Sequence, residues 1–90
     1  MKIPSKLKIG GNVISIIRGQ RPESGTDQDG GWSSWEDNEI FIADDMPQSR
    51  QETALLHEIF RQINVYLDEK EVTYLSESLY QVLKDNHLLK

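Results

Sequence analysis

The sequence has no cysteine and only two histidines, His57 and His87. The missing cysteine excludes a disulfide scaffold, a thiolate zinc site and a cysteine nucleophile, and it is compatible with a cytoplasmic setting. Two histidines cannot build a three-histidine metal site in one chain. The aliphatic run from Val13 to Ile17 is far too short to cross a bilayer, and the start of the chain lacks the pattern of a signal peptide. We therefore expect a cytoplasmic protein with no membrane partner.

Basic side chains are also scarce, and the charges are segregated. The 90 residues carry 10 basic and 15 acidic groups, for a net charge of −5. Residues 1–22 hold five bases and no acid, whereas residues 23–45 hold eight acids and no base. This balance argues against a general nucleic-acid binder, which needs a basic field over the phosphates. Charge runs are usually solvated faces. The alternative is a weak homodimer in which the two blocks meet across chains.

The first half of the chain has the pattern of strands and turns. Residues 6–9 alternate polar and apolar side chains, Gly10-Gly11-Asn12 suits a tight turn, and residues 13–17 are rich in β-branched side chains, which together predict a β-hairpin. The glycine-rich segment 19–31 is typical of a loop. Residues 32–35 and 39–43 flank Asp37-Asn38, which predicts a second hairpin or a single strand in a small antiparallel sheet.

From Ser49 onward the apolar period becomes that of a helix. The pattern predicts two packed helices, at about residues 49–67 and 69–85. Ser49 and Glu52 fit a capping box at the start of the first helix, and residues 68–71 fit the same pattern at the start of the second. The 90 residues are thus expected to form one α+β domain, with a small sheet followed by two helices.

Chemistry is concentrated on the first predicted helix, at His57-Glu58-Ile59-Phe60-Arg61. Metallopeptidases place two histidines four residues apart so that both imidazoles reach one zinc ion, with the intervening glutamate as general base. Here the first histidine and the glutamate are present, but Arg61 stands in place of the second histidine. A guanidinium is always charged and has no lone pair for a metal.

The surrounding sequence resembles that of small, phage-type zinc metallopeptidase-like proteins of the gluzincin group, distant cousins of the ImmA/IrrE metallopeptidases. The most specific similarity lies in residues 53–64, Thr-Ala-Leu-Leu-His-Glu-Ile-Phe-Arg-Gln-Ile-Asn, and in residues 69–86. Residues 3–11 and 38–42 also match the layout of that group. The resemblance therefore covers most of the chain.

The resemblance implies a role for each matching residue. His57 matches the first zinc ligand, Glu58 the general base and Glu71 the third ligand, while Arg61 breaks the motif. We expect a degenerate, non-catalytic domain without zinc, in which Arg61 pairs with Glu71 or Glu58 and the former cleft or an exposed strand binds a protein or peptide. The alternative is an active zinc-dependent hydrolase, in which His57, Glu71 and a further group hold the ion and Glu58 acts as base.

Simpler interpretations of the same residues remain open. Glu71 can be the partner of an Asp68 cap, and His57 can be a boundary histidine bonded to the sheet. His87 is expected to be exposed, and the two tryptophans are expected to be core and rim aromatics. Asp27, Asp29 and Gly30 have the spacing of a calcium loop, but Asn38 occupies the position of its final glutamate, so this interpretation is rejected.

Overall fold

Four strands and two helices follow one another along the chain. In the computed structural model, which describes residues 1–27 and 29–89, the strands are β1 (Lys6–Ile9), β2 (Asn12–Gly19), β3 (Gly31–Ser34) and β4 (Glu39–Ala43). The helices are α1 (Gln48–Ile63) and α2 (Glu69–Asp85). The predicted α+β class and both hairpins are confirmed. Neither described helix combines the length and the apolar character needed to span a membrane.

The sheet is mixed, with the strand order β1-β2-β4-β3. Both hairpins are antiparallel, but β2 pairs with β4 in parallel, with Ile16 opposite Ile40. The expectation of an antiparallel sheet is therefore wrong for its central pair. The long connection 20–30 carries the chain past β4 to the far edge, so that β4 returns between β3 and β2 in the direction of β2. Consequently β3 is an edge strand.

Turn residues account for the two hairpins. Gly10 and Asn38 have φ angles of +61° and +53°, and glycine and asparagine tolerate this left-handed conformation better than other residues. The core lies between the sheet and α1. It consists of aliphatic side chains from β2, β4, α1 and the segment before β1, namely Ile3, Ile14, Ile16, Ile40, Ile42, Ala54 and Leu55.

Helix α1 begins and ends earlier than the pattern predicts. Pro47 is its N-cap and no side chain caps it, so the predicted Ser49 capping box does not form. Because the helix already includes Gln48, the Ser49 hydroxyl lies inside the first turn. At the other end Asn64 is extended, and its side-chain oxygen accepts a hydrogen bond from the Tyr66 N–H at 2.9 Å. Tyr66 is 92% exposed, so it does not continue the core face.

Helix α2 packs on α1 and, within the described residues, does not contact a strand. Asp68 caps it: the Asp68 carboxylate accepts from the Glu71 N–H at 2.8 Å, and the Glu71 carboxylate accepts from the Asp68 N–H at 3.2 Å. The predicted cap at residues 68–71 is confirmed. Stacking α2 on α1 buries Val72 and Ser76 but leaves Leu75, Leu79 and Val82 partly exposed. It also places the first turn of α2 beside the middle of α1.

Candidate functional site

His57 and Glu58 are the most deeply buried polar residues of α1, at 1% and 0% exposure. The helix lays them against β3, where the Ser33 hydroxyl donates to Glu58 Oε1 at 2.7 Å. Gly31 makes this close approach possible, because a Cβ at that position would lie only 3.0 Å from Glu58 Cγ. The motif pair predicted from the sequence is therefore at the junction of α1 with the edge of the sheet.

The loop before β3 brings two aspartates to the same point. The Asp27 N–H donates to the Gly31 carbonyl at 2.7 Å, and Asp29 Oδ1 accepts from the Gly31 N–H at 3.2 Å. These bonds fold the loop back on β3 and place Asp29 Oδ2 3.5 Å from His57 Nδ1. The sequence does not predict Asp27 or Asp29 as site residues, since the contact joins a loop to a distant helix. Their spacing, considered for calcium, is the only local signal.

The carboxylate that α2 contributes belongs to Glu69. Its Oε1 lies 3.1 Å from His57 Nε2. Glu71, the residue that the resemblance matches to the third zinc ligand, is exposed and occupied by the Asp68 capping box. Because both carboxylates lie in the first turn and the cap fixes the orientation of Glu71, it is Glu69 that faces α1.

Arg61, four residues after His57, forms an ion pair across the two helices. Its Nη1 donates to Glu69 Oε2 at 2.8 Å, while its Nε is 3.9 Å from Asp27 Oδ2. The expected partners, Glu71 and Glu58, are therefore wrong, and Glu69 takes their place. The guanidinium is about one-third exposed, so solvent reaches this side of the site.

The centre of the site is short of hydrogen-bond partners. Four buried atoms have no partner among the described residues: Asp29 Oδ2, His57 Nε2, Glu58 Oε2 and Glu69 Oε1. Such atoms are rare in folded proteins, because each costs roughly 1–3 kcal/mol when desolvated and unbonded. All four atoms carry lone pairs that a proton, a water molecule or a metal ion can engage. Three of the four belong to carboxyl groups, so the site is rich in acidic groups.

The pKa values of the cluster shift in the direction that this imbalance requires. Burial, reinforced by the negative charge of Asp29, raises the pKa of Glu58 from 4.5 to about 10. Burial also raises the pKa of Asp29 and, with the charge of Asp27 added, that of Glu69. Burial lowers the pKa of His57, against the opposing pull of Asp29. Without a cation, Glu58 is thus a neutral acid and His57 a neutral imidazole near pH 7.

A small polar cleft of about 150 Å³ reaches His57 from the side of the helix pair. It is lined by residues of α1 and α2 together with Asp29, namely Asp29, Arg50, Thr53, Ala54, His57, Thr73, Ser76 and Glu77. The cleft therefore ends at the imidazole, of which only 1% is exposed.

The other residues considered in the sequence lie away from this cluster. His87 is exposed with a φ of +58°. Trp32 is half-buried and stacks on Phe41 with ring centres 5.8 Å apart, and Trp35 is 48% exposed. The expectation of a rim aromatic fits Trp35, whereas Trp32 does not belong to the core.

The cluster can do two things chemically. His57 and Glu69 offer two neighbouring donors to one ion, as in a zinc peptidase, with Glu58 beside them. Alternatively, Asp27, Asp29 and Glu58 offer a carboxylate-rich set around the same imidazole. No protein-family model, curated protein or solved structure matches the chain.

Proposed function

We propose that this chain is a non-catalytic, metallopeptidase-like domain that binds an extended segment of a protein partner. The observation that carries the proposal is the 2.8 Å pair between Arg61 Nη1 and Glu69 Oε2. This pair places a permanent positive charge against Glu69, the carboxylate that would hold a zinc ion together with His57. A phage-type origin and a cytoplasmic location belong to the same proposal.

The proposed binding surface is the outer edge of β3. Edge strands present backbone groups that pair with an added strand, and neighbouring side chains then supply selectivity. β3 pairs with β4 on one side only, and Ser33 on this strand contacts Glu58. Because the backbone of Gly31 is already bonded to Asp27 and Asp29, an added segment would pair with β3 beyond Gly31. A segment added here would run past the His57–Glu58 pair, where a peptidase would hold its substrate.

A second candidate, an active zinc hydrolase, is favoured by one specific observation. His57 Nε2 and Glu69 Oε1 are 3.1 Å apart, and neither has a hydrogen-bond partner within the described part of the chain. This separation suits two ligands of one zinc ion, whose bonds are about 2.0–2.2 Å long. In that case zinc would activate water and Glu58 would accept its proton.

Arg61→His tests whether the arginine blocks the motif. We expect zinc affinity, measured by competition with a chromophoric chelator, to rise at least tenfold, because a second imidazole replaces the guanidinium. Arg61→Ala is the matched control, since it removes the charge without adding a ligand. The gain should disappear in the Arg61→His/Glu69→Gln double variant. If zinc affinity does not change, Arg61 does not occupy a ligand position.

Hydrolysis separates the two candidates. The zinc-loaded wild type should cleave fluorescence-quenched casein no faster than the Glu58→Gln variant does. Turnover that depends on Glu58 would establish the hydrolase and end the proposal of a non-catalytic domain. Binding is tested with peptides selected from a random decapeptide library: bound peptide should protect amides of β3 from hydrogen exchange, whereas protection confined to β1 or α2 would contradict the proposed surface.

A further inference from the structure

We infer that Asp27, Asp29, His57 and Glu58 form a binding site for a divalent transition-metal ion, with a set of ligands that differs from the two-histidine arrangement that the motif resembles. The site joins the loop before β3 to the middle of α1. The inference does not depend on the proposed peptide-binding role.

The distances suit a single ion. One donor atom from each of the four residues lies within 4.8 Å of the donor atoms of the other three. Donors at the corners of a tetrahedron around an ion with bonds of about 2.0–2.2 Å stand roughly 3.3–3.6 Å apart. Closing the cluster around an ion therefore requires side-chain movements of up to about 1 Å.

The unpaired atoms point into this cluster independently of the distances. His57 and Glu58 are 1% and 0% exposed, and their Nε2 and Oε2 atoms have no partner in residues 1–27 and 29–89. Asp29 Oδ2 is also buried and has no hydrogen-bond partner in those residues. Buried polar atoms persist when something satisfies them, and a metal ion can engage an imidazole nitrogen and carboxylate oxygens together.

Arg61 does not meet this demand. Its guanidinium is bonded to Glu69 and approaches Asp27 at 3.9 Å. Within the described residues it forms no ion pair with Asp29 or Glu58. The positive charge of Arg61 thus reaches Glu69 and, at 3.9 Å, Asp27, whereas Asp29 and Glu58 are left without a cation.

The donor set selects the class of ion. Three carboxylates and one imidazole contain no sulfur, which disfavours soft ions. Carboxylates suit Mg²⁺, Ca²⁺ and Mn²⁺, whereas an imidazole nitrogen favours later divalent ions such as Zn²⁺. The mixture favours Mn²⁺ or Zn²⁺ over Mg²⁺. A bound ion would hold the loop against α1 and would make Glu58 a ligand instead of a base.

The test is calorimetric titration of the chelator-treated full chain with Zn²⁺, Mn²⁺ and Mg²⁺. We expect one equivalent of Zn²⁺ or Mn²⁺ to bind, with Mg²⁺ weakest. Asp29→Asn should lower the affinity at least tenfold, and Asp27→Asn should also lower it, whereas the exposed hairpin variant Asp37→Asn should leave it unchanged. Glu69→Gln removes the carboxylate that would hold zinc in the peptidase arrangement, and it should change the metal affinity less than threefold.

Two results would overturn the inference. One is the absence of saturable binding by a wild type that circular dichroism shows to be folded. The other is an affinity that Glu69→Gln lowers tenfold while Asp29→Asn and Asp27→Asn leave it intact, since the ion would then occupy the zinc-peptidase position. The two aspartate variants give independent measurements if one of them fails to fold. Neither result concerns peptide cleavage, so this inference and the proposed function can fail separately.

Discussion

Gly31 is the position where the fold and the site constrain each other most tightly. A Cβ there would lie 2.9 Å from the Phe41 carbonyl oxygen, 3.0 Å from Glu58 Cγ and 3.2 Å from Glu58 Oε2. The first contact is with backbone in a central strand, which cannot rotate away. The other two are with a side chain that is fully buried. Gly31→Ala must therefore separate β3 from β4 or push Glu58 out of its place.

The expected cost follows from two opposing effects. Adding a methyl group to a tightly packed position costs about 1–3 kcal/mol. Replacing glycine by alanine returns about 0.4–1 kcal/mol by restricting the unfolded chain. The free energy of unfolding should therefore fall by about 1–2 kcal/mol, and the melting temperature by roughly 5–15 °C for a domain of this size. Urea unfolding followed by circular dichroism measures the first value, and a thermal scan measures the second.

Gly11→Ala is the matched control. A Cβ at Gly11 meets no atom within 4 Å, so this variant should be neutral or slightly more stable than the wild type. If Gly31→Ala unfolds at the same urea concentration as Gly11→Ala, then β3 does not lie against Glu58, and the placement of the site at this strand is wrong.

Two further predictions concern buried carboxyl groups. The Tyr80 hydroxyl donates to Glu52 Oε1 at 2.9 Å, and Glu52 is 5% exposed, so Tyr80→Phe should lower the free energy of unfolding by about 1–2 kcal/mol. The control Tyr74→Phe, at a 73% exposed position, should have no effect. Equal free energies of unfolding for the two variants would exclude the bond. With its pKa raised to about 10 in the folded protein and 4.5 as its ordinary value, Glu58 binds a proton only in the folded state between those values, so stability falls as pH rises. Between pH 7 and 9, with chelator present, the wild type should lose up to about 1.4 kcal/mol per pH unit relative to Glu58→Gln, and parallel pH profiles of the two proteins would show that Glu58 is already ionised.

Local sequence patterns predict the elements but not the order of the strands. Turn residues mark both hairpins and the 3.6-residue period marks both helices, because these features depend on neighbouring residues. The parallel pairing of β2 with β4 depends on the route of segment 20–30, which has no periodic pattern. The premature end of α1 has a similar cause. Tyr66 falls on the apolar face of the helical wheel, but the helix ends at Asn64, whose side-chain oxygen accepts from the Tyr66 N–H and forms a turn.

The candidate site divides in the same way. His57, Glu58 and Arg61 are one helical turn apart or less, so the motif identifies them together. The sequence also contains the reason why Glu69, and not Glu71, reaches the site. The capping box predicted from Asp68 occupies the carboxylate of Glu71 and leaves Glu69 available to α1. Asp27 and Asp29 could not be found in this way, since only the fold of the loop brings them to the helix.

The positive charge of Arg61 has an unequal effect across the site. A zinc ion held by two histidines and a glutamate carries two charges that all neighbouring carboxylates share, whereas a guanidinium carries one charge at a fixed end. The guanidinium of Arg61 is bonded to Glu69, and Asp27 is the next nearest carboxylate. Within the described residues Arg61 forms no ion pair with Asp29 or Glu58, and burial makes an uncompensated carboxylate costly there. These two groups must therefore take up a proton, as the raised pKa of Glu58 indicates, or a cation. The charge of Arg61 thus compensates Glu69 and reaches Asp27, but it leaves Asp29 and Glu58 to be neutralised in another way.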